Sequence, residues 1–441
     1  MQRMRWIALF WLLLSCGISI LWASLLNPSK PDWMGDFKGV YFDTRCLFQR
    51  DDPYKEGEPL RLYEAEEGRA LPDALGLRQV LTLDVYLPTV SVFVAPFAML
   101  AWGPAHLLWT IVTAGCLLAA AFLMWGAGAD HAPAVSCVLI CFLLANSEAM
   151  FGSGNSAGIA VGLCMVAAWC FLKERFVPVG ILCLAASLCI KPHDACLVWL
   201  YFLLAGAANR KRALQTLLVT AVLGLSSVLW VTHVAPNWMN ELHSNLVAAS
   251  APGGLSNPNP DSVSGGSVGM VINLQAAISV FRNDPKIYNP ASYLVCGALL
   301  LVWLIRTLRL RFSERGAWLA LAAVVPLTML VTYHRPQDAK LLLLTVPACA
   351  MLWAEGGPTG WIALLVNTAG IVLTADIPMA ILLVFAKGLH LPVEGLWGKV
   401  LTLLLMHPAS LILLVMGVFY LWVYVRLGPD RLAGATREAV C

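Results

Sequence analysis

Two aspartates follow the first long apolar segment of the chain closely. Asp36 stands beside Phe37, and Asp43 comes seven residues later, with Tyr41 between the two carboxylates. Seven residues are about two turns of a helix, so both carboxylates would share one face if this stretch is helical. A carboxylate held at such a position could act as a general base toward a hydroxyl group. The alternative is an ordinary solvated carboxylate next to the first helix.

Two cationic clusters lie between later apolar segments. Lys191 is followed by His193, and His334 and Arg335 are followed by Asp338. A lysine ammonium can hold a phosphate as a point charge, and a guanidinium can hold it with two parallel hydrogen bonds. His334 could donate to a phosphate or to a sugar hydroxyl. The alternatives are a lysine that snorkels to the membrane surface and an ordinary turn between two helices.

Tyr86 and Asn155 each stand at the start of an apolar segment. Tyr86 precedes Pro88, and a proline near a helix start is common on structural grounds alone. The glycine-rich stretch 152–158 resembles a phosphate-binding loop, but no strand–helix–strand unit surrounds it. We therefore predict a helix start there, with Asn155 or Ser156 as the N-cap.

The apolar segments that must position these residues predict a membrane protein. The chain of 441 residues is 59% hydrophobic and only 12% charged, whereas soluble domains carry about 25% charged residues. Long apolar runs alternate with short charged patches, which is typical of a chain that crosses a bilayer many times. We predict an all-α polytopic protein with roughly 11–13 transmembrane helices, given that a span needs about 20 residues.

The segments predict six regions along the chain. They are a first transmembrane helix (1–26), an extracytoplasmic loop with the candidate base (27–86), a transmembrane module (87–233), a second extracytoplasmic loop whose part 251–275 could form a lid (234–290), a C-terminal transmembrane module (291–425) and a cytoplasmic tail (426–441). The first apolar run is longer than that of a signal peptide, so we predict a retained helix with a cytoplasmic N-terminus.

The basic patches predict the orientation of the chain. They lie at 173–175, 210–212 and 306–315, and positive charge marks cytoplasmic loops. Three full spans between 86 and 151 would put these patches on the wrong side. We therefore predict that one segment in that region is a half-helix or a hairpin, a feature that often lines a working cavity.

Composition also excludes several classes of protein. A net charge of +3 is too small to indicate a nucleic-acid-binding protein. The thirteen cysteines lie mostly inside apolar runs, and no C-x-x-C pair occurs. We predict neither a structural disulfide nor a zinc site. We assign no metal ligand and no cofactor, although Asp36, Asp43 and Asp338 could contribute ligands to a divalent cation.

Four motifs, taken in order, resemble one family. They are Gly35-Asp36-Phe37 with Tyr41 and Asp52-Pro53-Tyr54, Tyr86-Leu87-Pro88 with Ala95-Pro96, Gly152 to Asn155 with Lys173-Glu174-Arg175 and Ile190-Lys191-Pro192, and Tyr333-His334-Arg335 with Asp338. This order resembles the bacterial GT-C-type glycosyltransferases of family 87, which are related to the polyprenol-phosphate-mannose-dependent α-mannosyltransferases. The resemblance covers roughly residues 1–350. The chain departs from it at Gly152-Ser153, where the family usually has Gly-Gln.

The resemblance implies a reaction as well as a fold. It implies an inverting transfer of a hexose, with mannose expected, from a polyprenyl-phosphate donor to a lipid or glycan acceptor on the extracytoplasmic side of the bacterial inner membrane. Asp36 matches the family's proposed general base. The resemblance also implies that Lys191, His334 and Arg335 stabilise the leaving phosphate.

A transporter or flippase of a lipid-linked or small solute is the alternative from another class. Such a protein needs ionisable residues near the middle of the membrane. Here the charged residues gather at the ends of the apolar segments and in the polar loops, and this pattern favours chemistry at the membrane surface.

Overall fold

The computed structural model of the protein describes residues 2–26, 33–68, 70–72, 76–251, 254, 256–258, 271–388 and 395–426. The predicted lid at 251–275 falls largely outside the described residues. The predicted cytoplasmic tail, apart from Arg426, falls outside them as well. Every regular element described below is helical, which confirms the predicted all-α fold.

The first polar loop is built from short helices that follow one long helix. In chain order they are α1 (Gln2–Leu26), α2 (Gly35–Gln49), α3 (Glu58–Glu67) and α4 (Gly76–Thr82). Prolines and left-handed residues break this stretch into pieces, since Gly57 and Arg50 both adopt a positive φ. Among the described residues, the polar segment after α1 therefore contains three short helices, α2 to α4.

The central part of the chain begins with a short helix. A 3₁₀ turn, Pro88–Val90, leads into α5 (Ser91–Ala98). The elements that follow are α6 (Trp102–Ala129), α7 (Pro133–Ala145), α8 (Glu148–Ser153), α9 (Ala157–Leu172), α10 (Val177–Ile190), α11 (Pro192–Leu204) and α12 (Ala207–Val234). Since Pro88–Ala98 is too short to span a bilayer, it fits the half-helix predicted between 86 and 151.

The C-terminal part mixes long, short and bent helices. They are α13 (Trp238–Ser250), α14 (Leu274–Ser279), α15 (Pro285–Arg309), α16 (Glu314–Val331), the 3₁₀ helix Asp338–Thr345, α17 (Val346–Glu355), α18 (Gly357–Leu373), α19 (Asp376–Gly388), α20 (Gly395–Met406) and α21 (Pro408–Arg426). Within its described residues, the predicted second polar loop thus contains the two helices α13 and α14, and α15 begins six residues before the predicted boundary at 291.

Seven of the described helices are long and apolar enough to cross a membrane. The helix pair Gly357–Leu373 and Asp376–Ala386 is bent by 70°. If this pair is one span, the number of candidate spans rises to eight. Five further apolar helices are shorter than full spans. The predicted 11–13 spans are reached only when those shorter helices are counted. The fold is that of a polytopic membrane protein.

One helix stands at the centre of the bundle. In α16, 83% of the most apolar 18-residue window is buried inside the protein, whereas only 17% is buried in α12. A helix apolar on all sides is buried by other helices when it is central and by lipid when it is peripheral. Helices α11, α15 and α21 pack around α16, which makes α16 the axis of the fold.

The basic patches gather at one end of three helices. Lys173, after α9, pairs with Glu314 at the start of α16 (Nζ–Oε1, 2.5 Å), and Arg212 pairs with Glu174 (Nη2–Oε1, 2.9 Å). Helices α9, α10 and α16 therefore share this end. Their other ends lead to Asn155, Lys191 and Tyr333. The candidate residues consequently lie at the opposite end of the bundle from the basic patches.

Candidate active site

A cavity of about 400 Å³ opens at the end of the bundle that lies away from the basic patches. Eight of the side chains singled out from the sequence line it together: Asp36, Asp43, Tyr86, Asn155, Lys191, His193, Arg335 and Asp338. They come from α2, the segment before α5, the turn before α9, the junction of α10 and α11, and the segment after α16. Residues 300 positions apart in the chain thus face one space.

An aromatic anchor places α2 in the wall of this cavity. Phe37 stacks on Trp109 of α6, with ring centroids 4.4 Å apart and planes 20° apart. Trp109 donates its indole N–H to the carbonyl oxygen of Gly154 at 2.9 Å, and the Met34 N–H donates to the carbonyl of Gly152 at 2.6 Å. The start of α2 is therefore fixed against the turn that carries Asn155. Stacked aromatic pairs stabilise such contacts beyond their buried area.

Gly154 is required at this turn for two reasons. Its φ is +66°, a left-handed conformation that side-chain-bearing residues rarely adopt. A Cβ atom at this position would also lie 2.7 Å from the Cβ of Phe37. The missing side chain allows α2 to approach the turn closely.

A chain of hydrogen bonds connects the candidate base with the cationic cluster. Asn155 donates through Nδ2 to Asp36 Oδ2 at 2.7 Å, and its Oδ1 accepts from Lys191 Nζ at 3.1 Å. Lys191 also donates to Asp338 Oδ1 at 2.5 Å. Asp338 Oδ2 accepts from the backbone N–H of Arg335 at 2.8 Å. This network fixes the carboxylate of Asp36 and the ammonium of Lys191 at neighbouring positions.

Asn155 also closes the start of α9. Its Oδ1 accepts from the backbone N–H of Ala157 at 2.9 Å, while Ser156 occupies the N-cap position without a side-chain cap. The predicted helix start at 152–158 is correct, and Asn155 supplies the side chain that bonds to it. A single amide therefore both begins a helix and joins two ionic groups.

The ammonium of Lys191 is held but not saturated. It is buried and has three protons, of which two go to Asn155 and Asp338. No acceptor for the third is present among the residues that the structure describes. Burial would lower the pKa of Lys191, but the carboxylates of Asp338 and Asp194 and the hydrogen bond to Asp338 raise it above its ordinary value. The group therefore stays charged beside the cavity.

Arg335 supplies a second cation to the cavity wall. Its guanidinium carbon lies 5.5 Å from the centre of the Tyr333 ring, which also lines the cavity. An aromatic face beside a guanidinium restricts its orientation and favours its charge. The cavity therefore combines two cations with the carboxylate of Asp36.

A pair of buried carboxyl groups lines another part of the wall. Burial raises the pKa of Asp84 to about 7, although its Oδ1 accepts from the Tyr86 N–H at 2.8 Å. Burial and the charge of Asp84 raise the pKa of Asp43 well above its ordinary range. The neutral, protonated form of Asp43 is therefore favoured, and in that form it can donate a hydrogen bond. Asp36 and Asp43 both lie on the cavity face of α2.

Two of the residues singled out from the sequence lie behind the cavity wall. Tyr41 is fully buried, donates to the carbonyl of Leu100 at 2.8 Å and accepts from Arg45. His334 is also fully buried, and its Nε2 lies 3.2 Å from Asp194 Oδ1. Neither residue lines the cavity. His334 is therefore not in direct contact with the space in which it was expected to bind a phosphate.

Asp84 and Tyr333 line the cavity but were not predicted as site residues. Asp84 precedes Tyr86 by two residues, and Tyr333 adjoins His334. Adjacency to predicted residues was the available signal in both cases. It was weak because the direction of a side chain in an irregular segment depends on tertiary contacts. For Asp84 those contacts include Asn245 of α13, whose amide donates to the carbonyl oxygens of Asp84 and Tyr54, each at 3.0 Å.

Fold and cavity together define a polytopic membrane protein with an ionic site at one end of its helical bundle. The model of glycosyltransferase family 87 matches residues 85–333, more than half of the chain. The chain belongs to glycosyltransferase family 87, and it is a membrane glycosyltransferase. The matched range includes Tyr86, Asn155 and Lys191, while Asp36 precedes it. No curated protein matches the chain.

Membership of this family confirms the resemblance seen in the sequence. It also decides between the two classes considered there, since the family is one of transferases and the alternative was a transporter or flippase. A glycosyltransferase needs a sugar donor and an acceptor.

Proposed function

We propose that the protein transfers a hexose, with mannose the expected sugar, from a polyprenyl-phosphate donor to a hydroxyl of a lipid or glycan acceptor. The observation that carries this proposal is the shared cavity, in which Asp36 is linked through Asn155 to the ammonium of Lys191. Transfer needs a base for the acceptor and positive charge for the leaving group. The cavity contains both within one hydrogen-bonded network.

Asp36 takes the proton of the acceptor hydroxyl in this proposal. The hydroxyl oxygen attacks the anomeric carbon of the donor sugar, and a new C–O bond forms as the bond between that carbon and the phosphate oxygen breaks. Attack from the face opposite the leaving group inverts the anomeric configuration. The amide of Asn155 donates to Asp36, which holds the carboxylate in place before reaction.

Lys191 and Arg335 stabilise the phosphate that leaves. The bond electrons pass to the phosphate oxygen, which becomes more negative as the bond breaks. Preorganised cations favour that charge in the transition state more than in the ground state, and this difference accelerates the step. The third proton of Lys191 and the planar guanidinium of Arg335 are suited to phosphate oxygens.

The proposed donor suits the position of the cavity. Asn155, Lys191 and Tyr333 stand just beyond the ends of α9, α10 and α16, opposite the ends that carry the basic patches. Because basic patches mark the cytoplasmic side, we place the cavity at the extracytoplasmic surface of a bacterial inner membrane. A polyprenyl phosphate presents its phosphate at that surface while its chain stays among the lipids.

Removal of the proposed base tests the reaction. Transfer from a polyprenyl-phosphate-[¹⁴C]mannose donor is measured with purified protein in detergent or in proteoliposomes. Asp36→Asn is expected to lower transfer at least about a hundredfold, the usual contribution of a general base, while monodispersity is retained. Asp130→Asn, at an exposed carboxylate after α6, is the matched control and should transfer normally. Undiminished transfer by a folded Asp36→Asn protein contradicts the proposal.

A further inference from the structure

A cluster of possible metal ligands adjoins the cavity on the side of Lys191, which the proposed function assigns to the donor phosphate. It consists of His193, Asp194 and His334, whose ligand atoms all lie within 4.8 Å of one another. Two of them, His193 and Asp194, are consecutive in the first turn of α11, and His334 approaches from the segment after α16. The prediction that the chain has no zinc site was argued from its cysteines, and this cluster contains none.

The polar atoms at the centre of the cluster are buried and lack hydrogen-bond partners. Asp194 and His334 are both fully buried. Within the described residues, neither carboxylate oxygen of Asp194 nor Nε2 of His334 forms a hydrogen bond. Buried polar atoms are nearly always bonded, so a group of three such atoms facing one another requires a cause. A cation bound among them would satisfy all three.

The spacing of these atoms fits a metal ion. His334 Nε2 and Asp194 Oδ1 are 3.2 Å apart, without the alignment of a hydrogen bond. Zinc binds histidine nitrogen and carboxylate oxygen at about 2.0–2.2 Å in tetrahedral sites, which places two ligands roughly 3.3–3.5 Å apart. The observed distance is therefore close to the edge of a zinc coordination tetrahedron. The rings of His193 and His334 also face each other, with centroids 4.9 Å apart.

The tautomer of His334 suits a ligand. Its Nδ1 lies 3.2 Å from the carbonyl oxygen of Thr332, and a carbonyl can only accept. When Nδ1 carries the proton of the neutral ring, that carbonyl accepts it and Nε2 is left with a lone pair for a metal ion. Metal-binding histidines characteristically donate their other ring N–H to a carbonyl or carboxylate in this way.

We propose that His193, Asp194 and His334 bind one divalent transition-metal ion, of which Zn²⁺ is the test case. Two imidazoles and a carboxylate with an open position are a frequent set for such ions. His193 also lines the cavity, so the ion would border the space assigned to the donor phosphate. The metal site stands independently of the proposed reaction, because binding is measured without substrate.

Metal content is the test. The full-length protein is purified in detergent, stripped with a chelator, equilibrated with Zn²⁺ and freed of unbound ion, after which zinc per chain is measured by mass spectrometry. We expect one ion per wild-type chain and at least about tenfold weaker binding in His334→Ala and His193→Ala. His407→Ala is the matched control, because His407 is a buried histidine whose ring nitrogens also lack partners.

A second measurement does not depend on a variant that folds. Co²⁺ bound by imidazole and carboxylate in the stripped wild-type protein should give visible ligand-field absorption that Zn²⁺ abolishes. No retained zinc and no cobalt bands would show that His334 and Asp194 form a charged pair without metal, which overturns the proposal. Equal zinc in the wild type and in folded His334→Ala and His193→Ala proteins overturns it as well.

Discussion

Asn155 is the residue on which the polar network depends. Its Nδ2 donates to Asp36 and its Oδ1 accepts from Lys191. An amide side chain can donate to an anion and accept from a cation at the same time. A carboxylate at this position would repel Asp36, and an apolar side chain would leave both neighbours without this partner. From the sequence, Asn155 was predicted as a helix start and a candidate site residue, whereas its contacts with Asp36 and Lys191 depend on the tertiary structure.

Lys191 tests whether this network serves chemistry or only stability. Lys191→Met leaves Asp338 buried without its ammonium partner, and loss of one member of a buried ion pair costs about 3–5 kcal/mol. We expect a clear fall in thermal stability and the loss of sugar transfer. Stability is followed by thermal unfolding of the detergent-solubilised protein, and transfer is followed with the radiolabelled donor.

The double variant Lys191→Met with Asp338→Asn separates the two roles. It removes both charges of the pair, so most of the lost stability should return. Transfer should remain lost, because no ammonium is present to stabilise the leaving phosphate. Recovery of transfer in the double variant would show that Lys191 only balances the charge of Asp338.

At the scale of elements, the site depends on how α2 rests against the turn before α9. Phe37 of α2 packs on Trp109, and Trp109 bonds to Gly154. The position of Asp36 depends on this contact because Asp36 directly precedes Phe37 in the helix. Short helices between spans have little stability of their own, so tertiary contacts of this kind decide where the carboxylate lies.

Gly154→Ala tests this contact. A left-handed alanine costs roughly 1–2 kcal/mol, and its Cβ would lie 2.7 Å from that of Phe37. We expect lower thermal stability and at least several-fold slower transfer, since displacement of α2 separates Asp36 from Asn155. Gly126→Ala in α6 is the control, because nothing lies within 4 Å of a Cβ there. Equal activity of the two variants would argue that α2 is not positioned by this turn.

At the scale of the whole molecule, the helices separate two kinds of charge. The basic patches are tied to one another at one end of α9, α10 and α16, and the cavity lies at the other end. Helices of 14–18 residues span about 21–27 Å. The cavity therefore lies away from the basic patches by a distance close to the thickness of the hydrocarbon core of a bilayer.

Cysteine labelling tests this orientation. Lys55→Cys places a thiol in the exposed loop after α2, and Lys211→Cys places one in the basic patch at the start of α12. A membrane-impermeant maleimide should label the first in intact spheroplasts and the second only after permeabilisation. The wild-type protein gives the background, since most of its described cysteines are buried or half-buried. The reversed pattern would place the cavity in the cytoplasm.

The sequence by itself determined the membrane class, the all-helical fold and most of the ionisable residues that face the cavity. Hydropathy fixes the environment of a segment because apolar groups leave water at any position in the chain. Charged residues then gather at segment ends because a charge inside the bilayer is costly. The order of the motifs along the chain indicated the family, and the match to the family model confirmed it.

Only the tertiary structure decided which of these residues touch one another. Asp36 reaches Asn155 across 119 positions, and Lys191 reaches Asp338 across 147. Such contacts depend on helix packing and on irregular segments, which local pattern does not encode. The same packing turned His334 away from the cavity toward Asp194, and it brought Asp84 into the wall. The direction of a buried polar side chain is set by the partners that the fold brings to it.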